Sequence, residues 1–98
     1  YISEDIEVYV KNMQVKKSGE VISLSKTELQ LLIYLFENAG HILSKESILE
    51  NVWGNDGQFV DDNVVTVNIS RLKNKLRTDG IENIRGLGYL WTEKVSRK

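Results

Sequence analysis

Apolar and polar residues change their period twice along the chain. Ile6, Val8 and Val10 alternate with Glu7 and Tyr9, the period of two that marks a half-buried strand. Met13 and Val15 alternate with Gln14 and Lys16, Ser18-Gly19 is a turn signal, and Glu20 to Leu24 returns as a third short strand. The pattern predicts a small antiparallel meander. At Ser25 the period lengthens. Ser25-Lys26-Thr27-Glu28 fits a capping box, and Leu29, Leu32, Ile33, Leu35 and Phe36 then share one broad helical face. Asn38-Ala39-Gly40 ends this helix, Gly40 suiting a left-handed C-terminal position. Ser44 caps a shorter helix with Glu46 in its first turn and Ile48, Leu49 and Val52 as its buried stripe, and Gly54 stops it. A loop over 54–60 follows. Asp61 or Asp62 caps a third helix that runs to about Thr78 and exits through Asp79-Gly80. The stretch from Ile84 to Thr92 reads as a hairpin around Gly86-Leu87-Gly88. Strands, three helices and a hairpin predict an α+β fold of winged helix-turn-helix type, with an N-terminal antiparallel sheet and a C-terminal β-hairpin wing.

The third helix carries the functional argument. At about 100° per residue, Val65, Ile69, Leu72 and Leu76 fall within one narrow arc, which must face the core. The opposite arc holds Asn63, Val67, Ser70, Arg71 and Asn74, with Thr66 and Lys73 on one flank. A merely solvated helix would carry Glu, Lys and Gln there. Short side chains let a helix backbone sit deep in a groove. Asn and Arg match adenine and guanine edges, and an aliphatic group can meet a thymine methyl. Acids are absent from residues 63–78, where phosphate would repel them. The competing reading keeps Val67 against another part of the protein and Arg71 in solvent. Arg85, beside the glycine turn, is placed to reach phosphate or the minor groove, or else to form a surface salt bridge. Trp91 reads as core, while Tyr89 can pack its ring and keep its hydroxyl for phosphate.

Composition narrows the classes. The 98 residues form one domain, 41% hydrophobic and 28% charged, which is ordinary globular usage. The absence of cysteine excludes disulfides, thiolate zinc sites and a cysteine nucleophile, and is compatible with a reducing, cytoplasmic setting. No apolar run approaches the roughly 20 residues of a membrane span. Starting at Tyr1 rather than Met, the chain reads as a piece of a longer protein. The net charge of −1 is unevenly spread: residues 1–70 carry five cations against eleven acids, and residues 71–98 eight cations against three acids. A charge-segregated domain can dock a basic face on phosphate.

The ordered motifs resemble the C-terminal effector domain of OmpR/PhoB-type response regulators. The likeness is carried by Leu24-Ser25-Lys26-Thr27-Glu28-Leu29, Ile42-Leu43-Ser44-Lys45-Glu46, Val52-Trp53-Gly54, Val60 through Leu72, and Arg85-Gly86-Leu87-Gly88-Tyr89. The resemblance implies a four-stranded N-terminal sheet, of which the pattern shows three strands. It also implies sequence-specific binding of double-stranded DNA and transcriptional regulation, downstream of a receiver domain phosphorylated by a histidine kinase. That receiver is expected to be missing from these residues. Two effector domains would bind tandem direct repeats as a head-to-tail dimer. By motif position, Thr66, Val67 and Arg71 match base-facing residues. Asn63, Asn68, Ser70 and Lys73 match residues at or near the DNA backbone, as do Lys45, Trp53, Arg85 and Tyr89. The loop over 54–60 matches a segment that contacts RNA polymerase in some relatives. Many relatives carry Arg or His where this chain has Asn63, Asn68 and Ser70.

Other chemistry has little footing. Gly86-Leu87-Gly88 lacks the third glycine and following helix of a dinucleotide site. Asp61-Asp62 is better explained by helix capping than by a metal. His41, the only histidine, follows Gly40 in a turn with no evident partner for catalysis. No cofactor, metal or enzymatic activity is expected. The alternative to DNA binding is a winged helix that binds a polypeptide through the same face, motivated by the acidic net charge and by Val67.

Overall fold

A computed structural model describes residues 1–54, 61 and 63–97. Four short strands open the chain: β1 (Ile2–Ser3), β2 (Ile6–Tyr9), β3 (Gln14–Lys17) and β4 (Glu20–Ile22). They pair antiparallel in sequence order, with Val8 opposite Val15 and Val15 opposite Ile22. Ile6, Val8 and Val15 are buried, as the alternation requires. The meander is shorter than the pattern suggested. Val10 and Met13 lie in the connection after β2, both exposed, Met13 at a φ of 49°, and β4 stops at Ile22. The Ser18-Gly19 turn has φ of 51° and 84°, and positive values at both central residues match the right-handed twist of the flanking strands. β1 left no pattern because two residues cannot show a period. It is held instead by β2 and by the distant chain end, where Ile2 and Ser96 exchange backbone hydrogen bonds of 2.7 and 2.8 Å.

Helix α1 (Lys26–Glu37) begins with the predicted capping box: the Ser25 hydroxyl accepts from the Glu28 N–H, and the Glu28 carboxylate from the Ser25 N–H. Leu29, Leu31, Leu32, Leu35 and Phe36 are buried; Ile33 is only partly covered. Helix α2 (Lys45–Ile48), capped by the Ser44 hydroxyl on the Ser47 N–H, widens into a π-helical stretch over Leu49–Trp53. Gly54 leaves it at a φ of 62°. No helix of the described residues is long and apolar enough to cross a membrane.

Helix α3 (Asn63–Leu76) is the third helix of the pattern. The Asp61 carboxylate accepts from the Asn63 N–H at 3.0 Å and the Asp61 carbonyl from the Val64 N–H, so Asp61 caps it; Asp62 lies outside the described residues. The helix ends two residues before the predicted Thr78. Arg77 adopts the left-handed conformation, with a φ of 48°, and the Thr78 N–H returns to the Lys73 carbonyl, a Schellman closure built without glycine. Lys17 of β3 seals that end, donating to the carbonyls of Leu76 and Arg77 at 2.5 and 2.7 Å. A cation there also opposes the negative end of the helix dipole. On the other flank Lys75 reaches the Glu28 carboxylate at 2.7 Å, tying α3 to α1. Burial pushes the Glu28 carboxyl up. The hydrogen bonds from Lys75 and Ser25 outweigh it and hold the group below its usual range.

The hairpin consists of β5 (Ile81–Ile84) and β6 (Gly88–Trp91). Its first strand starts three residues earlier than the pattern indicated, and Arg85 sits in the turn rather than in the strand. Trp91 is fully buried against Phe36, ring centroids 4.8 Å apart, and its Nε1–H donates to the Ser3 hydroxyl at 2.9 Å. One core thus joins the sheet, all three helices and the hairpin.

Candidate nucleic-acid interface

The inward arc of α3 is buried as its spacing requires: Val65, Ile69, Leu72 and Leu76. Because successive residues rotate about 100°, burial of that arc turns Asn63, Val67, Ser70, Arg71 and Asn74 outward, and all five are exposed. Val67 keeps 43% of its surface in solvent, so its aliphatic side chain is open to a partner. Had Val67 and Arg71 been sealed inside the globule, groove reading would be untenable.

The hairpin sets the second wall. Tyr89 and Leu43 exchange backbone hydrogen bonds of 2.7 and 2.8 Å, which dock β6 against the segment leading into α2. Gly88 makes this approach possible. A Cβ there would lie 2.0 Å from the Leu43 carbonyl oxygen, and the backbone has a φ of 147°. A cleft of about 520 Å³ results between α2, α3 and the wing, with Lys45 and Arg85 among its lining residues and Thr66 and Tyr89 on the side of α3 and β6. Lys45 and Arg85 are both exposed.

Two expected backbone contacts are placed otherwise. Asn68 is only 9% exposed, and its side-chain amide donates to the Val64 carbonyl one turn back, so it braces its own helix. At about 100° per residue its position lies on the edge of the buried arc. Tyr89 is 3% exposed, and its hydroxyl pairs with that of Thr66 at 3.3 Å. Trp53 is half-buried and packs against the core. Asn63 and Ser70 are exposed and Lys73 is half-buried. The loop over 55–60 lies outside the described residues.

The positive charge of the C-terminal third is less free than its count suggests. Lys75 is engaged by Glu28, and Arg97 stacks over the Tyr1 ring at 5.2 Å. Pairing partners so distant in sequence give no signal in a helical wheel. Arg71, Lys73, Arg85 and Lys45 remain on α3, the wing and the start of α2.

A short sheet, three helices and a glycine-cornered hairpin docked beside an exposed helix define a winged helix-turn-helix domain. The chain belongs to the family described as transcriptional regulatory protein, C terminal, which matches residues 19–91, and is the C-terminal effector domain type of OmpR/PhoB response regulators. It is 44% identical over 81 residues to the response regulator ArlR of Staphylococcus saprophyticus, covering 79% of this chain and 36% of that protein. It is 39% identical over 85 residues to the transcriptional regulatory protein CseB of Streptomyces coelicolor, covering 87% of this chain and 36% of the relative. The chain therefore spans about a third of the length of these curated relatives. Among solved structures, the RstA DNA-binding domain of Klebsiella pneumoniae in complex with RstA box aligns with a TM-score of 0.83 at 30% identity, covering 94% of this chain and 95% of that one.

Proposed function

We propose that this chain binds double-stranded DNA sequence-specifically, with α3 in the major groove and the β5–β6 wing on backbone or minor groove. The observation that carries the reading is the outward face of α3, where Val67 and Arg71 stand exposed among short polar side chains beside a hairpin whose turn carries Arg85. Thr66, Val67 and Arg71 face the bases. Lys45, Asn63, Ser70, Lys73 and Arg85 touch the DNA backbone, as does Trp53 through its indole N–H. Asn68 and Tyr89 stay behind this surface as supports.

In the longer protein, the domain serves as the cytoplasmic output of a two-component system. A histidine kinase phosphorylates the upstream receiver, a head-to-tail dimer forms on tandem direct repeats, and the loop over 54–60 approaches RNA polymerase. The family membership and the greater length of ArlR and CseB support this arrangement. The domain has no catalytic role in it.

The test is a titration of labelled duplex, selected from a random pool, at several salt concentrations. Three cations on phosphate, Lys45, Lys73 and Arg85, would give a log–log salt slope of about −2.7. A flat response refutes the proposal. Arg71→Ala should lose about 1–3 kcal/mol on the selected site and relax preference at one base position. Equal losses on every sequence would reassign Arg71 to phosphate.

A further inference from the structure

Tyr89 is firmly anchored at the interface. Its backbone is clamped to Leu43 by two hydrogen bonds, its strand is paired with β5, and its residue is 97% shielded from solvent. The hydroxyl at the end of that fixed ring meets the Thr66 hydroxyl at 3.3 Å, across 23 residues of sequence. Thr66 is itself exposed on α3. A threonine in a helix divides between two χ1 rotamers, because its hydroxyl can turn back to the preceding turn; valine is almost confined to one. A hydroxyl anchored 3.3 Å from that of Thr66 favours the rotamer that faces it.

We propose that Tyr89 is a positioning residue for base recognition, holding the Thr66 hydroxyl toward the wing so that the threonine methyl is the group offered to the groove. The inference rests on the DNA-binding reading above. The group recognised is the C5-methyl of a thymine, which apolar side-chain carbons contact in the major groove. Wing and recognition helix then act as one reader, since a wing displaced from Leu43 also releases the rotamer of Thr66. Tyr89 contributes through Thr66 and makes no phosphate contact of its own.

The test compares the wild-type chain with Tyr89→Phe, Thr66→Val and the double variant, using duplexes selected by the wild type and their single-base substitutions. The wild type should prefer thymine over uracil, which lacks only the methyl, at one position by about fivefold, the low end of what one base pair carries. Tyr89→Phe keeps the packed ring and should lower that preference below twofold, while the salt slope holds. Thr66→Val in the Tyr89→Phe background should restore it, because a methyl then points outward without help from the hydroxyl. A uniform weakening of Tyr89→Phe on all duplexes, with the thymine preference intact, overturns the proposal in favour of a backbone contact, and so does failure of the double variant to recover. A rotamer measurement without DNA separates this result from failure of the DNA-binding reading. Three-bond couplings to the Thr66 methyl should report one rotamer in the wild type and averaging in Tyr89→Phe; averaging in both overturns the proposal even where no duplex binds.

Discussion

Gly88→Ala is the substitution that most directly tests how the wing is held. The new methyl would sit 2.0 Å from the Leu43 carbonyl oxygen, 2.6 Å from its carbon and 2.9 Å from the Ser44 Cα, all backbone atoms that cannot turn away as a side chain would. Relief requires β6 to separate from the segment before α2, breaking the two Leu43–Tyr89 hydrogen bonds. Each contributes about 0.5–1.5 kcal/mol net. The left-handed φ of 147° adds strain of order 1–3 kcal/mol for any residue with a Cβ. The sum, about 2–6 kcal/mol, is a large share of the roughly 5–15 kcal/mol that stabilises a domain. At about 4–8 °C per kcal/mol for a domain of this size, the midpoint of thermal unfolding should fall by at least ~8 °C. Gly86→Ala is the matched control. Its φ is 80°, but nothing lies within 4 Å of the added methyl, so it should show only the backbone strain. Thermal unfolding followed by circular dichroism measures both, and amide exchange at Leu43 and Tyr89 reports the docking contact itself. If Gly88→Ala unfolds within about 0.5 kcal/mol of Gly86→Ala, or leaves those two amides protected, the close approach is not what holds the wing and the reasoning fails.

Three further outcomes follow from the supports around α3. Lys75→Met should cost about 1–2 kcal/mol at neutral pH in urea unfolding, less than breaking a fully buried pair because the lysine is 44% exposed to water. The folded-state pKa of Glu28 is lowered, so its contribution is present above the unfolded-state value of about 4.5 and is lost as pH falls through the folded value; the gap between wild type and Lys75→Met should close on acidification. Arg77→Gly should stabilise the chain by about 0.5–1 kcal/mol, since the helix closes there in a left-handed conformation that disfavours a Cβ, and a loss of stability would mean the arginine makes a contact that matters more.

Much of the site was legible from spacing alone. The four buried apolar residues of α3 and the five on its opposite arc follow from a rotation of about 100° per residue, and Ser25, Ser44 and Asp61 announced three helix starts through chemistry local to a few residues. Met13 and Val10 misled the strand boundaries because alternation continues through a turn without knowing where pairing stops. Asn68 was expected at the DNA backbone because it matches a family motif position, which does not reveal the hydrogen bond it makes to Val64.

What the amino-acid order determined, then, is periodic and short-range: which face of each helix is apolar, where helices begin, and that a glycine-rich corner follows three helices. Folding in three dimensions decided what lies between residues far apart in the chain. The Leu43–Tyr89 bridge, the Lys17 seal on α3, the Lys75–Glu28 pair, the strand made by Ile2 and Ser3, and the meeting of Thr66 with Tyr89 all join such residues. No period connects them, because each depends on two elements arriving together and on the absence of a Cβ or a competing partner where they touch.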